Sequence, residues 1–474
     1  MTSTTTQAVD TYGWDTVFTV PATEVNKAIV ANHSSPANFT YSDTYSLLDG
    51  VNIPYTVNVS FGDWQITTGG DGKNIRLSLP LVNGTLELTQ TGKKFTFSTG
   101  TATIEVQLHS LAHTDPNGKT SYKLVVKSVA DTPTEPVVCL VTSNYEGNPT
   151  VVPKALLDSS LLTWCNANLA QFNHIFAAIE LNSEIDQNQW GFVAPNYTSY
   201  AYLSKDNFND SLFAILCMTG DRTGENLAQQ INTNSIPTGS VAGFLVSQQR
   251  TLADLIRPAI CAAYPGLTTG NFVLSTDGTT VSLRDGVTLN LSSVSQNGTD
   301  YYPVLKQLSV EATGQILKLD SYTETPIDSF YGIVATCTAT HRYNLGLGTS
   351  SNGQTLVFQQ AQAPSIVHSF QQSASGANNQ EIISIVAILA SILLGVLTEG
   401  AACVACGLIV GLAMGANQIT PTIIEEINQN GAPSIDLLLV NSVNPIQWTG
   451  SNKFTLDYAS LNVSLQLGGN PNFV

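Results

Sequence analysis

The sequence is short of charged residues. Asp, Glu, Lys and Arg make up 11% of its 474 residues, against about 25% in typical soluble domains, whereas 43% are hydrophobic. This balance excludes a disordered chain, because disorder requires low hydrophobicity together with high net charge. The chain must therefore bury a large apolar surface. Ser, Thr, Asn and Gln must cover much of the exterior, which suits strands and turns.

Basic residues are the scarcer of the two charged classes. Lys and Arg number 18 against 35 Asp and Glu, which gives a formal charge of −17 at pH 7. The longest basic run is the pair Lys93-Lys94, whereas nucleic-acid binding requires clustered cations on one surface. The composition excludes nucleic acid as a partner. It also opposes the approach of the whole molecule to anionic lipid headgroups.

Patterns typical of enzymes and metal sites are missing as well. The seven cysteines are scattered, most of them among apolar residues, and predict no disulfide framework. Cys403 and Cys406 have CxxC spacing, but no neighbouring base or cation lowers a thiol pKa there. His109 and His113 lie on a predicted strand without the glutamate of a metalloprotease pair. We expect no catalytic residue, no metal and no cofactor other than a bound lipid, and hence no enzyme.

Alternating apolar and polar residues predict strands over much of the chain. The pattern runs from Pro54 to about Lys127, with Tyr55–Phe61 as its clearest example, and glycine-rich turn signals separate the strands. Strand signals return from Asn271 to about Phe358 and again in the last twenty residues. Such alternation is typical of antiparallel sheets with one apolar face.

Apolar residues at three- and four-residue steps predict helices. A short helix is predicted for Pro21–Ala31, and longer amphipathic helices for Leu156–Leu181 and about Gly243–Ala263, the last kinked or divided at Pro258. Sheets and helices together favour an α+β protein. Its two halves, 1–180 and 181–474, follow a similar order of elements, although no sequence repeat proves symmetry.

Several short stretches resemble the OrfX-type family, which comprises the OrfX proteins and their forty-seven-kilodalton relative encoded beside botulinum-type toxin genes. The stretches that carry the resemblance are Thr11–Phe18 (TYGWDTVF), Val25–Ile29 (VNKAI), Phe172–Ala177 (FNHIFA), Tyr200–Tyr202 (YAY), Ala242–Ser247 (AGFLVS) and Leu461–Phe473. Their order spans nearly the whole chain. The resemblance implies an elongated tubular lipid-binding fold, with curved antiparallel sheets wrapped on long helices around an apolar channel. It also implies an accessory role in a toxin or insecticidal gene cluster and supplies no catalytic residue.

A long uncharged stretch stands out near the C-terminus. Ile382–Leu397 and Ala401–Ala416 flank Glu399 and predict a helical hairpin over 382–416. Gly407, Gly411 and Gly415 fall on one helix face and favour close helix packing. The candidate lipid or membrane contacts in this segment are Ile382, Ile385, Ile388, Leu389, Ile392, Leu393, Leu408 and Leu412.

Two interpretations of this hairpin remain open. The first run spans roughly 24 Å as a helix, which is less than the ~30 Å hydrocarbon core of a bilayer. No Lys or Arg flanks the segment to fix an orientation in a membrane. Burial inside the protein is therefore preferred over insertion into a membrane.

The functional hypothesis is a non-catalytic lipid-binding protein that acts as an accessory in a toxin or insecticidal gene cluster. Its expected partners are lipids or a membrane surface and other proteins of the cluster. The alternative hypothesis is a toxin that inserts the hairpin into target membranes. The polar N-terminus resembles no secretory signal, so we expect a bacterial cytoplasmic protein, or release without a signal peptide. We expect Trp14 to anchor the N-terminal segment, with its indole N–H bonded to a neighbour.

Overall fold

The structure is a computed structural model. The residues it describes are 8–31, 33–46, 50–114, 120–127, 135–147, 149–172, 178–180, 191–193, 195–263, 266–291, 294–296, 299–328, 333–350, 353–372, 446–447 and 455–470. Within them, antiparallel strands are the dominant element.

The elements up to residue 180 alternate strands with two helices. In chain order they are β1 (Thr16–Pro21), α1 (Ala22–Ala31), β2 (Asn38–Ser46), β3 (Asn52–Phe61), β4 (Gln65–Asp71), β5 (Asn74–Leu88), β6 (Lys93–Phe97), β7 (Gly100–Thr114), β8 (Thr120–Val126), β9 (Val138–Tyr145), α2 (Val151–Ala167) and β10 (Ala178–Glu180).

Beyond residue 190 the strands include the longest of the described part of the chain. In chain order the elements are β11 (Pro195–Leu203), β12 (Leu212–Thr219), β13 (Ala242–Val246), α3 (Gln248–Arg250), α4 (Arg257–Ala263), β14 (Phe272–Leu274), β15 (Thr280–Leu283), β16 (Leu289–Asn290), β17 (Val294–Gln296), β18 (Thr299–Tyr301), β19 (Val304–Thr313), β20 (Ile316–Asp328), β21 (Ile333–Ser350), β22 (Gly353–Gln372), β23 (Ile446–Gln447), β24 (Thr455–Asn462) and β25 (Ser464–Asn470).

The first large sheet curls around helix α2. Its strand order is β2-β3-β5-β7-β8-β10-β23, and β4, β6 and β9 pair with β5, β5 and β7. From β2 to β9 there are four strand spacings, which would span roughly 19 Å in a flat sheet. Helix α2 nevertheless contacts both strands, through Phe39 and Trp164 on one side and Asn166 and Val138 on the other. The sheet must therefore curl until its two ends meet the same helix. We call β2–β9 the curled sheet.

The second sheet is central and buried on both faces. Its order is β11-β12-β1-β13-β25-β24, so it joins the N-terminal strand to the last two strands of the chain. Phe18, Val20 and Phe213 point into the main core, whereas Val17 and Leu216 point to the opposite face. This second face is covered by the loop between β12 and β13. Because both faces of this sheet are buried, strands such as Ala242–Val246 are apolar at every position and do not alternate.

The third sheet carries the longest strands. Its order is β14-β15-β19-β20-β21-β22, with β16 paired to β19, and β21 and β22 contain 18 and 20 residues. Strand β24 of the central sheet packs against β21. Strands β17 and β18 form a separate pair. We call β14–β22, without that pair, the long sheet.

The predicted α+β fold with sheets wrapped on long helices is wrong. The described residues form mostly antiparallel sheets, and their helices are few and short. Helix α2 ends at Ala167, and Ala178–Glu180 of the predicted helix Leu156–Leu181 is a strand. Likewise, Ala242–Val246 is a strand and not the start of a helix. Short, wholly apolar runs have no periodicity that separates a buried strand from a buried helix.

Other predictions of elements are confirmed. The strand Tyr55–Phe61 lies within β3, and the short helix forms as α1, although Pro21 ends β1 instead of opening the helix. Pro258 also disturbs its helix as predicted. Because it lacks an N–H, it cannot bond the carbonyl of Asp254, and a π-helical stretch, Thr251–Ile256, separates α3 from α4. The division into 1–180 and 181–474 stays a prediction.

Candidate functional site

The inner face of the curled sheet becomes more exposed from one row of residues to the next. Paired residues of β2, β3, β5 and β6 point to the same side of the sheet and form rows across it. From the inside outwards the rows are Phe39, Val59, Gly84 and Phe97; then Tyr41, Val57, Leu86 and Phe95; then Asp43, Tyr55, Leu88 and Lys93. The first row is buried, the second only at its two middle residues, and the third has exposed charges at both ends.

Four apolar or aromatic side chains form the open end of this face. Tyr41, Tyr45, Leu88 and Phe95 are half-buried and pack against the main core. We call them the aromatic rim. Tyr45 lies one row beyond Asp43 and pairs with Ile53. Tyr41 and Phe95 are the two ends of one row, with buried Val57 and Leu86 between them. Exposed apolar patches are typical of binding surfaces.

A packed aromatic cluster lies on the buried side of the rim. It consists of Phe39, Phe61, Trp64 and Trp164. The ring centroid of Phe39 lies 5.5 Å from that of Phe61 and 5.4 Å from that of Trp164. Phe61 also contacts Trp64 edge-on at 5.2 Å and Trp164 at 5.8 Å. These distances are typical of favourable ring packing, so the cluster is a solid layer under the rim.

The opposite end of the innermost row is closed by Phe97. A Cβ atom on Gly84 would lie 2.1 Å from the Phe97 ring, so only glycine lets this ring lie against β5. The Phe97 ring meets Tyr145 edge-on at 5.2 Å, and the Tyr145 hydroxyl donates to Asp158 of α2 at 2.8 Å. Glycine at 84 therefore fixes an aromatic side chain between β5, β9 and α2.

The polar groups beside the rim bind one another and do not form an acid–base pair. The Tyr41 hydroxyl donates to Asp43 at 3.0 Å, and the backbone N–H of Thr44 donates to the same carboxylate at 2.8 Å. Desolvation and the neighbouring Asp43 raise the pKa of Tyr41 above its ordinary value, so the hydroxyl stays protonated. With Lys93 exposed at the other end of the row, the rim presents an apolar centre between two charged ends.

A second polar feature, which we call the clasp, lies at the end of the central sheet. Three of the six arginines of the sequence gather there. Asp15 is almost fully buried, accepts from the backbone N–H of Thr219 at 2.7 Å and pairs with Arg222. Arg250 pairs with Asp254 at 2.8 Å and donates to the carbonyl oxygen of Phe192 at 3.1 Å. Arg257 is the third arginine and donates to the carbonyl oxygen of Ala253 at 3.1 Å.

The clasp joins segments that are distant in the chain. It connects the start of β1, the end of β12 and the helical stretch that begins at α3. Desolvation raises the pKa values of Asp15 and Asp254, although the arginines act in the opposite direction. Both carboxylates already have partners within the fold. The geometry is that of a structural network.

Trp14 anchors the N-terminal segment, as predicted. It is fully buried, its indole N–H donates to the carbonyl oxygen of Ala228 at 2.9 Å, and its ring stacks on Tyr197 at 6.1 Å. A Cβ atom on Gly224 would lie 2.4 Å from the indole ring. Trp14 therefore holds the β12–β13 loop against the outer face of the central sheet.

The inner face of the long sheet changes from apolar to polar along its length. Leu317 and Leu319 of β20 are followed on the same side by buried Ser321, Thr323 and Thr325. His341 is buried within β21, and its ring stacks on that of Tyr343 with centroids 6.4 Å apart. Hydroxyl groups lose favourable hydration on burial unless they are hydrogen-bonded, so this face is poorly suited to hydrocarbon.

The predicted contact and packing residues of segment 382–416 lie outside the described residues, and the open question of its burial stays open. The same holds for Cys403 and Cys406. His109 and His113 lie on β7. Within the described part of the chain, no group of His, Cys, Asp or Glu side chains is arranged to hold a metal ion, and no helix is long and apolar enough to cross a membrane.

Four cysteines of the described residues are free thiols, and their environments differ. Cys165 is buried, whereas Cys139 is exposed. Burial raises the pKa of the Cys165 thiol and raises that of Cys217 to about 12. Neither of these two thiols is activated at neutral pH.

Sequence reasoning missed the aromatic rim and cluster. One available signal was the strand Asn38–Ser46, in which Phe39, Tyr41 and Tyr45 alternate with polar residues. That pattern predicts a strand with an aromatic face. Trp64 and Trp164 join the same cluster only through the three-dimensional path of the chain, which no local pattern shows.

A family model described as "OrfX-like: Protein OrfX2/OrfX3/P47" matches residues 11–469. Among curated proteins, Protein OrfX3 of Paraclostridium bifermentans is 33% identical over 97% of this chain and 98% of its own length. Protein OrfX3 of Clostridium botulinum (strain Kyoto / Type A2) is 30% identical, with the same coverage of both chains. These matches agree with the resemblance carried by the short motifs.

A solved structure has a similar fold at low sequence identity. The structure of P47 from Clostridium botulinum E1 has a TM-score of 0.68 and 17% identity, and the match covers 97% of this chain and 100% of that one. This likeness concerns the fold alone.

Proposed function

This chain belongs to the OrfX-like family, and from that premise we propose that it is a non-catalytic protein that binds lipid through the aromatic rim of its curled sheet. The single observation that carries the proposal is the exposure gradient from Phe39 to the rim. A buried apolar face continues without interruption to half-exposed Tyr41, Leu88 and Phe95. Hydrocarbon that covers these side chains would extend the core of the protein.

The chemistry of the rim supports an amphiphilic ligand. Asp43 and Lys93 are exposed at the two ends of the outer row, whereas Tyr55 and Leu88 lie between them. An acyl chain would contact the apolar centre, and its polar headgroup would remain near the charged ends and water.

The expected affinity follows from area. Burial of one methylene contributes about 0.8 kcal/mol, so about ten buried methylenes contribute roughly 8 kcal/mol. That sum corresponds to a dissociation constant on the order of micromolar, before the entropy lost on association is subtracted. A lipid held in this way needs few polar contacts.

We also propose that lipid binding serves an accessory role in a toxin or insecticidal system, in concert with other proteins encoded there. The support is family membership together with relatives named OrfX3 and P47 in Clostridium botulinum. Copurification of the chain with the other products of its gene neighbourhood tests this part. Recovery of the chain alone, under conditions that preserve lipid binding, would count against it.

The test of lipid binding compares substitutions on the two faces of the same strands. Tyr45→Asp and Phe95→Asp place charge on the rim, whereas Thr44→Asp and Thr96→Asp place the same charge on neighbouring exposed positions of the outer face. In a displacement assay with a fluorescent fatty acid, the affinity of the rim double variant for fatty acid should be at least tenfold lower than that of the unmodified protein. The outer-face double variant should bind like the unmodified protein.

Equal binding of fatty acid by both double variants would show that lipid does not bind at the rim. Native mass spectrometry of the unmodified protein after incubation with lipid provides an independent measure of bound mass. Dye release from liposomes at graded pH addresses the alternative of a membrane-inserting toxin. A lipid-binding protein should take up lipid without releasing dye, whereas dye release would favour insertion.

A further inference from the structure

We propose that the outer edge of β22 pairs with the same strand of a second copy of this chain, so that two long sheets join edge to edge in a dimer. This inference goes beyond the proposed function and does not depend on lipid binding. Strand β22 is the last strand of the long sheet and contains 20 residues, and no second strand of the described residues pairs with it. Backbone N–H and C=O groups along such an edge can accept another strand.

Strand β22 lacks the features that usually keep an edge strand from pairing. Native edge strands are short, carry charged side chains or proline, or are covered by a helix or loop. The sequence of Gly353–Gln372 contains no Asp, Glu, Lys or Arg. Its single proline, Pro364, lies at a shift of register with β21. The runs 353–361 and 365–372 on either side of this shift therefore have no such protection.

Most of the other strands at sheet edges are charged or short. Among the described residues, β2 contains Asp43, β6 contains Lys93 and Lys94, and β24 contains Asp457. Strands β14, β16, β17, β18 and β23 have two or three residues each. A strand of two or three residues offers too few hydrogen-bonding groups to hold a partner.

Hydrogen bonds from other elements cover the remaining edges. The side-chain amide of Asn26 in α1 donates to the carbonyl oxygen of Ile66 in β4 at 2.9 Å and accepts from its N–H at 2.7 Å. Asn166 of α2 bonds both backbone groups of Val138 in β9 in the same way, at 2.9 Å and 3.0 Å. In β11, the N–H of Tyr202 donates to a carbonyl oxygen of the β4–β5 turn at 2.8 Å. These edges are protected individually, so the unprotected edge of the longest described strand indicates a binding surface.

A second copy of the chain fits this edge for reasons of charge and chemistry. Two copies with a formal charge of −17 repel each other, and an uncharged edge is where they can approach at least cost. Six of the 20 residues of β22 are glutamine. A glutamine amide contains both donors and an acceptor, so identical residues opposite each other can bond. Antiparallel pairing of a strand with its own copy follows a twofold axis, which is the commonest symmetry of oligomers.

The length of β22 supplies the contact area that a dimer needs. Its 20 residues extend roughly 66 Å at about 3.3 Å per residue, and a sheet with its side chains is about 10 Å thick. Pairing along the whole edge would therefore bury roughly 1,300 Å² over both copies, within the range of about 1,200–2,000 Å² of specific interfaces. We expect both runs of β22 to take part, because one run alone would bury only about half of this area.

A matched pair of valine substitutions tests the dimer by sedimentation equilibrium across the micromolar range. Val367 of β22 is 59% exposed, and Val82 of β5, a strand that lies between β3 and β7, is 52% exposed. Val367→Lys should weaken dimerisation at least tenfold, because lysine on an edge opposes strand pairing. Val82→Lys is the control and should dimerise like the unmodified protein. Both substitutions lower the net negative charge equally, so general repulsion cannot produce a difference between them.

Hydrogen exchange locates the interface in the unmodified protein. As the protein concentration rises, the amides of β22 that do not bond to β21 should exchange more slowly, whereas exchange in β2 and β24 should not change. Gln359→Lys, at an exposed position of the first run, is a second variant in case Val367→Lys does not fold.

Four results would overturn the proposal. They are a monomer at every concentration, protection of the outer β22 amides already in the monomer, concentration-dependent protection confined to other strands, and equal dimerisation of Val367→Lys and Val82→Lys. None of these results bears on lipid binding at the rim, so the dimer and the proposed function fail or stand separately.

Discussion

The curled sheet and the long sheet each bury one face, but the side chains on the two buried faces differ. The inner face of the curled sheet is aliphatic and aromatic up to a half-exposed rim. The inner face of the long sheet passes from Leu317 and Leu319 to buried Ser321, Thr323 and Thr325. Burial by itself is therefore a poor guide to a lipid site. Along β21 the long sheet also continues from buried Tyr343 and Leu345 to half-buried Leu347. What distinguishes the curled sheet is therefore the aromatic side chains of its rim.

The largest expected effect is a loss of stability on removal of an aromatic ring from the packing of the curled sheet. Phe61→Ala should lower the free energy of unfolding by about 3–5 kcal/mol, because it removes the ring shared by Phe39, Trp64 and Trp164. Thr323→Ala on the long sheet should lower it by only about 1 kcal/mol. Urea unfolding followed by circular dichroism measures both. A comparable loss of unfolding free energy in the two variants would contradict the proposed difference in packing between the two sheets.

A smaller effect is expected from two glycines that are required for different reasons. Gly84→Ala should destabilise by about 1–3 kcal/mol, because its Cβ would collide with the Phe97 ring. Gly314, in the turn between β19 and β20, faces open space but has a φ of +59°, so Gly314→Ala should cost about 1 kcal/mol.

Asparagine substitutions separate the two causes, since asparagine tolerates the left-handed conformation. Gly314→Asn should recover most of the stability lost in Gly314→Ala, whereas Gly84→Asn should be at least as unstable as Gly84→Ala. The measurement is again the free energy of unfolding in urea. Recovery at position 84 would contradict the collision with Phe97.

A strained residue connects the central sheet to the long sheet. Val463, in the tight turn between β24 and β25, has a φ of +69°, which is unfavourable for a β-branched side chain. Its backbone N–H donates to the carbonyl oxygen of Gly314 at 2.9 Å, and it bridges to Val9. Val463→Asn should therefore raise the free energy of unfolding by about 1 kcal/mol. Thermal unfolding measures the gain, and Val463→Ile, which keeps the β-branch, should show none.

The smallest expected effect concerns the pH dependence of the clasp. Burial raises the pKa of Asp254, so the folded state holds its proton more tightly than the unfolded state does. The contribution of this group to stability is therefore fully present below the unfolded pKa and is lost as the pH rises through the folded pKa. Asp254→Asn removes the titration. Relative to this variant, the unmodified protein should become more stable as the pH is lowered from neutral towards the ordinary aspartate range.

Urea unfolding of both proteins at graded pH measures this difference, and taking the difference cancels the titration of other groups. Asp277 provides a control of opposite sign, because hydrogen bonds from Ser275 and Thr279 lower its pKa in an exposed turn. Relative to Asp277→Asn, the unmodified protein should lose stability as the pH falls. The same sign in both comparisons would contradict the account of the clasp.

Local patterns in the sequence identified much of the strand content but overestimated the share of helix. Alternation located β3, β5 and β7 because each has one face in the core and one in water. The run Ala242–Val246 was assigned to a helix because a strand buried on both faces shows no alternation. The predicted helix Leu156–Leu181 coincides with α2 only from Leu156 to Ala167, because the end of α2 depends on the turn and strand that follow.

The candidate site was harder to predict for a physical reason. Phe39, Phe61 and Trp164 come from three separate elements. The pairing of β2 with β3 brings the two phenylalanines together, and the packing of α2 on the curled sheet adds Trp164. The sequence pointed instead to the uncharged segment 382–416, whose proposed contacts lie outside the described residues and stay predictions. Trp14 was assigned correctly because a lone tryptophan in a short polar segment has few roles other than docking that segment onto the core.

The most direct test of the central claim is a crystal structure with a fatty acid that carries bromine at the end of its chain, which anomalous scattering locates. The account predicts one bromine site, at the aromatic rim formed by Tyr41, Tyr45, Leu88 and Phe95. Bromine on the hydroxyl-lined face at Thr323, or no ordered bromine at saturating ligand, would contradict it.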